Sequence, residues 1–275
     1  MTIKPLSNLS HVVACALAGL TLSAAADHKA AAVKTTKPLA PSEYEGGRGL
    51  LTLQGPTGLF INPTSGTLPA NAFTAQYCFF LPNNSSSPVM GHGAMASYGV
   101  TDWLELGGIF TALDFNRGAN PPRGDIFGGG PLIRLRLLKD EGAIPQLSVG
   151  GYFRMGDIET YNAFIALYKR VEIDPNGFFR SVGFHGGLRQ SWIGQGGDAS
   201  DAPVGYAGLE VQLPYRLYVV GEVSTTDRDS GGTATPYGFG LQWRAGGINI
   251  SAAFTNPGNV REPSFYFGIG TQLRF

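Results

Sequence analysis

Charge is scarce in this chain. Asp, Glu, Lys and Arg make up 15% of its 275 residues, against ~25% in an ordinary soluble domain. The two signs balance at 20 each, so there is no basic domain to meet a phosphate backbone, and nucleic acid is excluded as a partner. Long apolar runs are missing as well. No window holds the ~18 uninterrupted apolar residues of a spanning helix. Cysteine is confined to Cys15 and Cys78. If Cys15 is lost with a leader, Cys78 has no partner for an internal disulfide.

Glycine is plentiful, at 40 residues, while hydrophobic content is an ordinary 43%. Few charges, much glycine and many aromatics without a spanning helix point to an all-β protein with an apolar exterior. The N-terminus has the form of a secretory signal. Lys4 supplies the positive region, His11 to Ala26 the apolar stretch, and Ala24 with Ala26 the small-residue cleavage site. Residues 27–42 are Ala-, Lys- and Pro-rich and read as a linker. Residues 46–70 carry turn residues between two short apolar runs. They are able to pair with a barrel or to plug one, and the pattern leaves both open. The expected organisation is a signal peptide over 1–26, an N-terminal periplasmic or plug segment over 27–71, and a transmembrane β-barrel over 72–275.

From Ala72 onward, runs of period-two alternation are separated by turn signals. They cover 72–81, 91–99, 103–113, 127–138, 145–154, 160–171, 178–190, 203–213, 215–226, 236–245, 247–255 and 264–275. Each is near the ~9–11 residues of a tilted strand crossing a bilayer. Tight connections such as Thr101-Asp102, Asp174 to Gly177, Pro214 and Gly246 alternate with longer polar ones such as 114–125 and 191–203. Short turns on one side and longer loops on the other are the habit of outer-membrane barrels. In 236–245, Tyr237, Phe239, Leu241 and Trp243 alternate with Gly238, Gly240, Gln242 and Arg244. Trp103, Tyr215, Trp243 and Phe275 fall near strand ends, where aromatic girdles form. The expected fold is a transmembrane antiparallel up-and-down barrel of about twelve strands. The parity of 91–99 and 160–171 is ambiguous, so ten or fourteen stay open.

The same parity turns Arg134, Arg136, Arg154, Arg189, Arg244 and Arg274 into the lumen, together with Glu105, Glu210 and Glu222. Six positive against three negative charges suit a weakly anion-favouring interior. The favoured reading is that they pair across a wet lumen and hold the barrel rigid.

The last strand, "SFYFGIGTQLRF", resembles the C-terminal signal read by the bacterial barrel assembly machinery. That resemblance implies a Gram-negative outer-membrane barrel, with Phe267, Ile269, Leu273 and Phe275 as the residues recognised. Thr271 interrupts the apolar series. The segment "GPTGLFINPTSGTLPANAF", residues 55–73, is similar to the opening of YjbH-type barrels, a group linked to exopolysaccharide production and export. The expected function is a narrow channel or accessory factor for anionic oligosaccharide or small solutes, with outer-membrane lipid as its surroundings. The alternatives are a structural or assembly protein without transport, and a membrane lipid hydrolase.

An enzyme is not expected. His185 and Ser181 lie four apart on one strand, too far at ~3.3 Å per residue for a nucleophile–base pair. His92 has no partner legible in the sequence, and no Ser-centred signature is present. No cofactor or metal is expected either. Asp198, Asp201, Asp227 and Asp229 fall in predicted loops, where acidic residues are common.

Overall fold

The computed structural model describes residues 37–38, 51–52, 55–81, 90–114, 126–157, 159–193, 203–226, 234–245, 247–258 and 263–275. The signal peptide, the linker over 27–36 and 39–42, Gly246, and Asp198, Asp201, Asp227 and Asp229 lie outside the described residues.

Twelve antiparallel strands form the barrel in chain order: β1 (Ala72–Leu81), β2 (Met90–Gly99), β3 (Leu104–Asp114), β4 (Ile126–Leu138), β5 (Gln146–Gly156), β6 (Thr160–Glu172), β7 (Ser181–Ile193), β8 (Val204–Gln212), β9 (Leu217–Ser224), β10 (Tyr237–Ala245), β11 (Ile248–Asn256) and β12 (Ser264–Arg274). Each pairs with the next. β12 returns to β1, from Phe265 opposite Leu81 down to Arg274 opposite Ala72. Closure leaves no edge among these twelve strands, each of which has a partner on both sides; the two-residue strand Lys37–Pro38 pairs with the end of β12 alone. β2 and β6, the two strands of ambiguous parity, are full members of the wall.

Alternation divides the side chains into two shells. On β10, Tyr237, Phe239, Leu241 and Trp243 are exposed on the outside, while Gln242 and Arg244 are buried within. On β11, Ile248 and Phe254 face out and Asn249, Ser251 and Thr255 face in. Large apolar residues cover the exterior, while the interior combines these polar groups with a buried apolar cluster in which Met95, Ile109, Leu132, Tyr152, Val220 and Tyr266 gather around Leu59 and Phe60.

Most strand ends fall within one or two residues of the sequence expectation; β7 is shifted three residues C-terminal, to Ser181–Ile193 from 178–190, and β9 is shortened at both ends. β9 starts at Leu217 because Pro214–Arg216 forms a single helical turn. Tyr215 and Arg216 both sit at positive φ, 58° and 61°, a conformation no local propensity announces. Tyr215 is thrown outward, and its carbonyl accepts from Trp243 Nε1 at 3.0 Å. Trp103, Phe178, Phe179 and Phe275 are likewise exposed at this rim. β4 contains Pro131, which cannot donate to a ladder. Gly130 and Pro131 pair with β3 but have no partners on β5. The Phe153 carbonyl presses in there, 2.2 Å from where a Cβ on Gly130 would stand.

Candidate functional site

The lumen is occupied by the chain's own residues 57–68, all of them buried. The segment leaves the rim at Asn71, whose N–H donates to Gly99 O at 2.8 Å. Pro69 crosses so close to Gly99 that its carbonyl lies 2.0 Å from where a Cβ would be. Farther in, Gly58 bridges Pro63, and Leu59 N donates to Asn62 O at 3.0 Å. Residues 58–63 therefore make a tight hairpin turn, with its tip inside the barrel.

Glu222 on β9 holds the tip. Its carboxylate accepts from Phe60 N at 2.7 Å, Ile61 N at 2.6 Å, Asn62 N at 3.1 Å and Asn62 Nδ2 at 2.8 Å. Three successive backbone N–H groups converging on one anion form a nest. Gln242 donates to Leu59 O at 2.9 Å, and Arg189 Nε to Asn62 Oδ1 at 2.9 Å. The Phe60 ring packs 5.7 Å from that of Tyr266. Leu59 occupies the space in front of Gly208, where a Cβ would come within 2.4 Å of it.

Arg134 on β4 holds the stem. It donates to Thr57 Oγ1 at 2.9 Å, to Thr57 O at 3.0 Å and to Gly66 O. Glu105 accepts from Leu68 N at 3.0 Å and Ser97 Oγ at 2.6 Å, and lies 3.9 Å from Arg134. Ser65 O accepts from Gln146 at 2.6 Å and Ser148 at 2.5 Å. Residues 55–70 contain no charged side chain. The wall charges meet backbone groups instead: carboxylates take N–H groups and the guanidinium takes carbonyls. Buried backbone polar groups need partners, and here the barrel wall supplies them.

A second cluster is built from the wall and touches the plug through Gln242, which donates to Leu59 O. Glu210 on β8 accepts from Arg244 at 2.8 Å and from Tyr168 Oη at 2.9 Å, with His185 Nε2 at 3.5 Å. Arg244 also reaches Gln242 and lies 4.2 Å over the Tyr218 ring. These partners all come from wall strands β6, β7, β9 and β10.

The remaining sequence candidates are spread out. Arg154 donates to Thr160 Oγ1 at 2.9 Å and to Thr111 Oγ1 at 3.3 Å, above the Tyr152 ring. Arg136 is half-buried near the short-turn rim, and Arg274 is exposed at that rim. Ile269 and Phe275 are exposed on the outer face, with Phe267 and Leu273 half-buried beside them. Ser181 bonds Gln212 at 3.0 Å, apart from His185. His92 has a partner after all: Tyr77 Oη lies 2.5 Å from its Nδ1, on the outer wall. Among the described residues no group of three or more His, Cys, Asp or Glu is placed to hold a metal.

Sequence reasoning did not single out Gln146, Ser148, Asn62 or Tyr168. The signal open to it was inward parity of uncharged polar residues, which Gln242 already displays on β10. Inward-facing Gln76, Met95, Ser97, Tyr206 and Gln272 are all buried, so among the described residues the lumen is packed at the level of the seated hairpin.

No family model matches this chain. Nor does any curated protein.

Proposed function

We propose that this chain is an outer-membrane β-barrel held shut by its own hairpin, acting as a membrane-anchored accessory factor rather than a standing pore. The observation that carries this reading is the buried tip, with four donors on Glu222. A lumen built for constant passage keeps its wall charges in water. This one commits Glu222, Glu105 and Arg134 to the plug backbone.

The apolar outer wall and the aromatic rim at Trp103, Phe178, Tyr215 and Phe275 support a membrane setting with the short turns toward the periplasm. The outward series Phe267, Ile269, Leu273 and Phe275 supports delivery through the barrel assembly machinery. The likeness of residues 55–73 to YjbH-type barrels falls on the plug itself, and supports a role beside cell-surface polysaccharide.

A second reading, a gated passage for anionic oligosaccharide or small solutes, is favoured by one observation. The plug is uncharged and meets Arg134, Arg189 and Gln242 through hydrogen bonds, contacts that a polyhydroxylated or anionic chain would also make. Flotation of outer-membrane fractions and planar-bilayer recording of the refolded chain test both readings. The accessory reading expects membrane flotation and electrical silence. Steady conductance by the intact chain defeats it, and conductance only after an anionic oligosaccharide is added selects the gated passage.

A further inference from the structure

The outer wall is not uniform. Across β4 to β7 one row of outward positions runs Ile133, Gly151, Ala163, Gln190, each directly opposite the next. The row below it is bulky: Leu135, Val149, Ile165, Leu188. The row above continues as Phe153, Tyr161, Trp192, with the first two rings stacked at 4.5 Å. Two small residues between bulky rows leave a trough of about 570 Å³. Its depth is built in. A Cβ on Gly151 would stand 2.7 Å from the Asn162 carbonyl, so the ladder itself keeps side chains off this part of the floor.

The trough is apolar along its length and changes character at one end. There it meets the Gln190 amide and the Trp192 indole, next to the last residue of β7 on the long-loop side. Tryptophan favours the level of the lipid headgroups. From Ile133 to Gln190 the trough crosses three interstrand spacings, about 14 Å. It runs across the strands, so with a strand tilt of ~35–45° about 8–10 Å of that lies along the membrane normal, within the ~15 Å of one leaflet.

We infer that this trough binds one acyl chain of a lipid from the leaflet on the long-loop side, with the polar end of that lipid at Gln190 and Trp192. The inference rests on the membrane placement proposed above. A concave, single-chain-wide slot with an amphipathic gradient fits a tethered hydrocarbon tail. The chain lies against Val149, Ile165 and Leu188 and covers Gly151 and Ala163.

The test uses the full chain with Trp103→Phe and Trp243→Phe, so that Trp192 reports alone, refolded into phosphatidylcholine vesicles containing brominated acyl chains. The trough predicts quenching of Trp192 at low bromolipid fraction, above what random neighbours produce, by about threefold in relative affinity. Ala163→Phe, and the milder Ala163→Leu, fill the floor and should return quenching to the random level. Ala252→Phe on the outer face of β11 should not, and a gel-mobility shift on heating confirms that each variant is folded. Quenching in Ala163→Phe equal to the parent's overturns the trough while leaving the barrel in its membrane. A crosslinked dimer that Ala163→Phe converts to monomer also overturns it, with a second copy as the occupant. Absence of quenching in every folded variant overturns the membrane placement instead.

Discussion

Two buried carboxylates in one lumen are satisfied in opposite ways. Glu222 takes its hydrogen bonds from the plug, through three backbone N–H groups and one side-chain amide. Glu210 takes its own from the wall, through Arg244 and Tyr168. The interior is thus divided into a seat and a frame. The seat is complete only when the hairpin is home. The frame ties β6, β8 and β10 together through wall side chains and meets the seat at Gln242, which donates to Leu59 O and accepts from Arg244. A plug that leaves this barrel breaks the Gln242–Leu59 contact and leaves the Glu210–Arg244 and Glu210–Tyr168 bonds of the wall in place.

The largest expected effect is on the frame. Arg244→Ala leaves Glu210 buried without its guanidinium, a loss that costs about 3–5 kcal/mol when one partner of a buried pair is removed. The melting temperature should fall sharply while the amides of residues 60–62 stay protected. Glu222→Ala acts the other way. Each orphaned buried N–H costs about 1–3 kcal/mol, which the hairpin escapes by moving into water. The expected outcome is fast amide exchange at 60–62 and new bilayer conductance, with a smaller shift in barrel melting. If Arg244→Ala releases the plug as readily as Glu222→Ala, seat and frame are one unit.

Gly208→Val pushes on the Leu59 side chain, which already fills the space a Cβ would take. Overpacking of this kind costs about 1–3 kcal/mol and should appear as faster exchange at residues 59–62. Tyr168→Phe removes one hydrogen bond from Glu210, worth about 1 kcal/mol. It should lower barrel melting slightly and leave plug exchange unchanged.

Much of the wall was legible because β-alternation is written residue by residue. Tyr237 to Arg244 declare both of their faces without help from any neighbour. The start of β9 was not legible, since two successive residues at positive φ, neither of them glycine, carry no local signal. The count of six arginines against three glutamates suggested a lumen that favours anions. A count does not say what each charge meets. Glu222 meets backbone N–H groups some 160 positions away in sequence, and any residue supplies those. The same holds for Arg134 and the carbonyls of Thr57 and Gly66. His92 and Tyr77 illustrate the limit on the outer wall, because only the register of β1 against β2 brings them together.

Amide hydrogen exchange at Phe60, Ile61 and Asn62 in the refolded barrel tests the central claim most directly. A hairpin seated on Glu222 predicts protection comparable to that of the β9–β10 ladder, lost in Glu222→Ala to the rate of the exposed Gly142 and Ala143 amides in the turn between β4 and β5. Exchange at 60–62 as fast as that turn with Glu222 in place would contradict the account.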